Sequence, residues 1–123
     1  MSDAIAVANR WSAAYNACDF DTLRDLMTED FHLEHHNRGS VFRDPRELLE
    51  VMKGFAAVAP GRRYYNIRRQ ITDGRTVVTE LTWEATPNVD VPGFGRQGET
   101  TRLDLACIWT VRDGTLCEYH DYG

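Results

Sequence analysis

The chain has 123 residues, a length that suits one compact domain with one core and is too short for two domains of ordinary size. Hydrophobic residues make up 42% and charged residues 27%, which excludes a disordered chain because there is enough apolar material to offset chain entropy. Asp plus Glu number 19 against 14 Lys plus Arg, and the resulting charge of -5 excludes the broad positive field that a phosphate backbone needs, so no nucleic-acid partner is expected.

Ala4, Val7, Ala8, Trp11, Ala14 and Tyr15 recur at steps of three and four, the period of an amphipathic helix over about 3–18, with Ser2 or Asp3 as its N-cap. Asp19 precedes a short second helix, Phe20 to Met27, with Leu23, Leu26 and Met27 on one side. FHLEHH, Phe31 to His36, alternates as a strand does, and RGS after it reads as a turn. Asp44 as cap and Pro45 at the first helical position open a third helix, whose buried stripe is Leu48, Leu49, Met52, Phe55 and Ala56 and which Pro60-Gly61 stops.

From Arg62 onward the sequence is strand and turn. RRYYNIRRQI and TVVTELTWEA flank Asp73-Gly74, and TTRLDLACIWTV and TLCEYHDY flank Asp113-Gly114, two hairpins of the strongest short-range kind. The loop PNVDVPGFGRQG lies between them. Helices first and strands afterwards give an α+β fold, in which four long antiparallel strands curl around the first helix and leave a pocket at the open end.

Strand alternation then assigns faces. Leu103, Leu105, Cys107, Trp109 and Val111 form the apolar set of one strand, Val77, Thr79, Leu81 and Trp83 that of another, and Phe31, Leu33 and His35 that of the early strand. His32, Glu34 and His36 share the opposite face, and their nitrogen and oxygen donors suggest a metal. With no fourth ligand or second cluster evident in the sequence, no metal site is expected. On the last strand Cys117, Tyr119 and Asp121 alternate with Leu116, Glu118, His120 and Tyr122, and periodicity does not choose between the two sets. Ala106, Ile108 and Leu116 on the outer face predict an apolar patch that a second copy would cover, hence a homodimer.

Cys18, Cys107 and Cys117 are odd in number and lack CxxC spacing, which argues against a disulfide framework or a zinc knuckle. The start MSDAIAVANRW carries Asp3 and Asn9 where a signal peptide needs a basic start and an unbroken apolar run, and no stretch approaches the ~20 apolar residues of a membrane span. A cytoplasmic protein with no membrane partner is the expectation.

The order of elements, the phrase WSAAYNACDFDTLRDLMTEDF and the ending VRDGTLCEYHDYG resemble the nuclear transport factor 2-like superfamily and, within it, the SnoaL-like polyketide cyclases. The resemblance covers nearly the whole chain. It implies a single SnoaL-like domain over 1–123, a cone-shaped barrel in which a curved antiparallel sheet wraps the long N-terminal helix around an apolar cavity. RDGTLCEYHD matches the cyclase ending in which an aspartate on the last strand is the general acid/base, and that aspartate falls on Asp121. The cyclases' positioning histidine on the preceding strand is Cys107 here. In the similar ketosteroid isomerases the general base at the end of the first strand falls on His35, the oxyanion-hole tyrosine near Trp11 and the protonated aspartate near Cys107. The Arg and Asp that limonene epoxide hydrolases carry on the third strand correspond to Leu81 and Trp83, and Arg102 and Asp104 mimic the spacing only on another strand.

The site expected from these readings has Asp121 and His35 as a proton-transferring pair, Asp121 being desolvated among Trp83, Trp109 and Tyr119 and raised in pKa. Tyr15 or Tyr65 would polarise a carbonyl, and Trp11, Trp83, Leu105, Cys107, Trp109 and Tyr119 would line the cavity. The function implied is cofactor-free acid/base chemistry, an isomerisation, aldol-type cyclisation or dehydration, on a hydrophobic carbonyl compound. The competing class is a lipophilic ligand-binding or assembly module, and the two differ in whether polar groups converge inside the apolar cavity.

Overall fold

The computed structural model describes residues 3–123. In chain order the elements are α1 (Ala4–Asn16), α2 (Phe20–Leu26), β1 (Met27–His35), β2 (Ser40–Phe42), α3 (Pro45–Val58), β3 (Arg63–Thr72), β4 (Thr76–Ala85), β5 (Thr101–Arg112) and β6 (Thr115–Tyr122). Among the described residues no helix is long and apolar enough to cross a membrane.

Local chemistry sets the helix ends. Asp3 accepts from the Ala6 N–H at 3.0 Å and so caps α1, Asp19 accepts from the N–H and hydroxyl of Thr22 at the start of α2, and Asp44 accepts from the Arg46 N–H ahead of Pro45. Ser2, the other cap considered for α1, lies outside the described residues. Helix α1 ends two residues earlier than its apolar period suggests. Cys18 turns left-handed at φ 55°, its N–H reaches the Tyr15 carbonyl, and the Asp19 N–H reaches Ala14 at 2.9 Å. This double closure satisfies the last carbonyls without a glycine.

The six strands lie in the order β2-β1-β6-β5-β4-β3. Every pairing is antiparallel except β1 with β6, which is parallel, so the curved sheet is mixed rather than wholly antiparallel. Alternation reports which face a residue takes and carries no information on strand direction, and no hairpin ties β1 to β6. Two further differences concern the first half of the chain. Strand β1 begins at Met27, where the second helix was expected to continue, and the supposed turn RGS passes directly into the short edge strand β2, so two strands and not one interrupt the helices.

Irregularities bend the sheet around α1. Two extra residues follow Tyr65 in β3, with Asn66 at φ 54°, and the register between β5 and β6 slips by one residue at Cys117. The slip at Cys117 has a consequence for packing. It turns Leu116 inward, where it is fully buried, so the outer patch proposed for a dimer loses one of its three residues. Trp11, Leu23, Phe31, Leu81, Leu116 and Tyr119 are each at 0% exposure in the core between α1, α2 and the concave face. Each such side chain contributes roughly 1.5–3 kcal/mol of burial. Arg62 is also buried; its guanidinium lies 4.2 Å from the Tyr15 ring centroid and donates to the Cys18 sulfur.

Two glycines should respond oppositely to alanine. Gly114 at φ 78° follows Asp113 at φ 53° in the two-residue turn between Arg112 and Thr115, a conformation that a Cβ penalises. Gly54 lies exposed in the interior of α3 with open space around it. Gly114→Ala should lower unfolding free energy by about 1 kcal/mol, and Gly54→Ala should raise it by about 0.5–1 kcal/mol. Urea titration measures both, and shifts of the same sign would contradict the backbone assignment.

Candidate active site

A cavity of about 410 Å³ lies between α1, α3 and the curved sheet. Trp11 and Tyr15 of α1, Leu33 and His35 of β1, and Trp83 of β4 form one wall; Leu48, Met52 and Phe55 of α3 form the other. Phe94 closes the rim, with its ring centroid 5.1 Å from that of Phe55. The loop that carries it is tied to the end of α3 by the Asn88 N–H on the Val58 carbonyl.

Polar groups converge on one side of this apolar space. His35 is opposite Asp121 in the parallel β1–β6 register, and its Nδ1 lies 2.7 Å from Asp121 Oδ2. Asp121 is 2% exposed. The Tyr119 hydroxyl donates to the same carboxylate oxygen at 2.7 Å. Because Tyr119 has one proton and gives it to the carboxylate, its other neighbours are the donors: the Cys107 thiol at 3.3 Å and the Tyr64 hydroxyl at 3.3 Å. Burial pushes the Cys107 thiol up to about 12 and holds the Tyr64 and Tyr119 hydroxyls well above their usual range, so all three stay protonated.

Arg38, in the turn after β1, completes the cluster. Its Nη2 lies 2.8 Å from His35 Nδ1 and 3.5 Å from Asp121 Oδ2. Nδ1 cannot both accept from Arg38 and donate to Asp121. If it accepted, a lone pair would face a carboxylate lone pair at 2.7 Å; if it donates, an Arg38 N–H faces it at 2.8 Å. The second clash is the easier to relieve, because the Arg38 side chain is 40% exposed and can turn its donors to Asp121, whereas the Asp121 side chain is buried. We therefore assign the proton to Nδ1, donated to Asp121, with the guanidinium acting as a charge beside the carboxylate. The remaining ring nitrogen, Nε2, makes no hydrogen bond with the described residues.

The environment of Asp121 corrects the expectation of a raised pKa. Burial does push the carboxyl upward, but the His35 hydrogen bond and charge, the Tyr119 hydroxyl and Arg38 together outweigh it, and the net shift is downward. Asp121 is an anion at neutral pH, suited to hold a histidine and not to give up a proton.

Across the cavity wall the Trp83 indole N–H donates to the Tyr15 hydroxyl at 3.0 Å, which leaves the Tyr15 proton available to another acceptor. Tyr15 is buried, and desolvation raises its pKa.

Several expected lining residues lie elsewhere. Leu105, Cys107, Trp109 and Tyr119 are buried in the layer beneath the cavity, because the sheet curls and α1 covers their part of the concave face. Tyr65 faces outward and donates to Glu84 at 2.9 Å; its neighbour Tyr64, opposite Trp83, reaches the cavity. Arg102 and Asp104 face away from the cavity, Arg102 bonded to Glu84 and Asp104 accepting from Thr82. Sequence reasoning misses Arg38, Tyr64, Met52, Phe55 and Phe94 as cavity residues. Met52 and Phe55 belong to the apolar stripe of α3, and Tyr64 also has a signal: carrying alternation across the Asp73-Gly74 hairpin from inward Val77 to its partner Thr72 turns Tyr64 inward.

Comparison with known proteins bears on the family and the fold. The family model described as a SnoaL-like domain matches residues 8–119. The chain belongs to that family. Solved structures similar to this SnoaL-like chain include IdmH, a candidate polyketide cyclase from Streptomyces antibioticus, at 20% identity and TM-score 0.80, covering 98% of this chain and 91% of that one. A candidate polyketide cyclase from Xanthomonas campestris pv. campestris superposes with TM-score 0.83 at 18% identity, over 98% of this chain and 89% of that one. An epoxide hydrolase of the LEH-like kind from M. tuberculosis has 22% identity and TM-score 0.80, over 97% and 80% of the two chains. At these identities the likeness establishes the shared nuclear transport factor 2-like fold. No curated protein sequence matches the chain.

The lowered pKa of Asp121 fixes a sign for stability against pH. A carboxyl depressed in the folded state contributes stability that is present above its unfolded value, about 3.9, and lost as pH falls through the folded value. Between pH 5 and pH 2 the wild type should therefore lose more unfolding free energy than Asp121→Asn, measured by denaturant titration at each pH. Parallel acid limbs would contradict the ion-paired carboxylate.

Proposed function

We propose that this SnoaL-like domain is a small-molecule enzyme that moves a proton on a hydrophobic carbonyl compound, with His35 as the base and Asp121 as the group that orients and charges it. The observation that carries the reading is the 2.7 Å His35–Asp121 contact at the wall of an apolar cavity, with the carboxylate ionised and Nε2 unengaged.

Asp121 holds the Nδ1–H tautomer, so that Nε2 carries the lone pair. Nε2 takes a proton from a carbon next to the carbonyl, and the imidazolium that forms is stabilised by the adjacent carboxylate. Negative charge develops on the carbonyl oxygen, where the Tyr15 hydroxyl, released by the Trp83 donor, supplies a hydrogen bond. His35 then returns the proton to another carbon, completing an isomerisation, or to a departing hydroxyl, completing a dehydration. In an aldol-type ring closure the same enolate attacks a second carbonyl and His35 protonates the resulting alkoxide. The apolar walls exclude water and strengthen each of these interactions.

Absence of the family-type Arg and Asp from the cavity face of β4, where Leu81 and Trp83 stand, disfavours epoxide hydrolysis.

Solvent-deuterium uptake by polycyclic or terpenoid ketones with an acidic C–H tests the reading. His35→Ala and Asp121→Asn should each reduce exchange by roughly two to four orders of magnitude. The double variant should be little worse than the worse single one, because groups acting as a unit are not additive. Wild-type exchange that persists in His35→Ala would remove the base assignment; ligand binding with no exchange in the wild type would favour a binding module.

A further inference from the structure

The outer face of β1 and β6, opposite the cavity, gathers three of the chain's four histidines. His32 is directly across from Glu118, and His120 follows two residues later on the same face. Glu118 Oε2 lies 3.7 Å from His32 Nε2, and its other oxygen lies 3.3 Å from His120 Nε2. Glu118 and His120 supply the partners that the HLEHH run lacks by itself. All three side chains are partly open to solvent, at 31%, 39% and 22% exposure for His32, Glu118 and His120.

We propose that His32, Glu118 and His120 form a zinc site with an open coordination position. Two imidazole nitrogens and a carboxylate suit Zn²⁺ and not the hard, all-oxygen preference of Ca²⁺ or Mg²⁺. With Zn–N bonds of about 2.0–2.1 Å, the edge of a tetrahedron is about 3.3–3.4 Å, against 3.3 and 3.7 Å from the two Glu118 oxygens to the two histidines and no more than 4.8 Å among the three donor atoms. The ligand atoms therefore need little movement to close on an ion.

A second observation supports the assignment. His120 Nδ1 lies 2.8 Å from His36 Nε2, and His36 Nδ1 lies 3.4 Å from Glu34 Oε2. With an ion on its Nε2, His120 carries its proton on Nδ1 and donates it to His36 Nε2, and His36 then turns its own Nδ1–H toward the Glu34 carboxylate. This is the supporting arrangement that metal-bound histidines require, a partner on the far nitrogen that fixes tautomer and ring orientation. Tyr122 stacks on His36 with ring centroids 4.2 Å apart and holds that relay in place.

The site spans the parallel pair whose opposite face carries His35 and Asp121. An ion bound there clamps β1 to β6 at the level of the proposed catalytic pair, yet its existence does not depend on what the cavity does.

Titration of tag-free protein with Co²⁺ tests the proposal, because tetrahedral Co²⁺ gives visible absorption that an ion in water lacks, and Zn²⁺ should displace it at one ion per chain. His120→Ala and Glu118→Gln should abolish the band while far-ultraviolet circular dichroism stays unchanged. His36→Ala should weaken Zn²⁺ binding by roughly 10- to 100-fold, and His35→Gln, on the other face, should leave it intact. Zinc should also raise the thermal midpoint of the wild type and not that of Glu118→Gln. No saturable binding in the wild type, binding that survives in Glu118→Gln, an unchanged affinity in His36→Ala, or binding lost in His35→Gln would overturn it.

Discussion

The parallel pairing of β1 with β6 is the constraint on which both faces of this molecule depend. It joins a strand from the first third of the chain to the last strand and sets His35 opposite Asp121. Because side chains alternate, the same register sets His32 opposite Glu118 and Glu34 opposite His120 on the other side. A slip of one residue would exchange the faces and bury the wrong histidines. The strand carrying Asp121 is held on its other edge by β5, and the Gly123 N–H donates to Asn37, which ties the residues after Asp121 to the turn after β1.

Electrostatics then divides the labour between the two residues. A carboxylate as buried as Asp121 would ordinarily favour its neutral form, and His35, Arg38 and the Tyr119 hydroxyl reverse that preference. The buried layer under the cavity is therefore not inert filling. Tyr64, Tyr119 and Cys107 satisfy one another and the carboxylate, which removes the penalty of leaving buried hydroxyls without partners. Cys107 serves this network as a protonated thiol.

Much of this was legible in the sequence, and the reasons for the rest are physical. Helix caps at Asp3, Asp19 and Asp44 and the two Asp-Gly hairpins are local chemistry, so they read directly from short segments. The inward set of β5 follows from alternation alone. Alternation fails at Leu116, because the slip at Cys117 inserts a residue that no periodic pattern announces. His35 and Asp121 could be nominated from the sequence, whereas their contact depends on a pairing between distant strands. The sign of the Asp121 shift was misread for the same reason, since Arg38 lies in a turn without periodicity and its proximity is purely tertiary. Glu118 and His120 were likewise visible as residues, and only the register joins them to His32.

The central claim is that Asp121, as an anion, holds the proton of His35 on Nδ1 and leaves Nε2 to take a proton from a ligand. Long-range ¹H–¹⁵N spectra of the imidazole groups at neutral pH observe this directly. The account predicts that His35 is the Nδ1–H tautomer, with a strongly deshielded Nδ1 proton that disappears in Asp121→Asn. A neutral His35 protonated on Nε2, with Nδ1 bare toward Asp121, would contradict it.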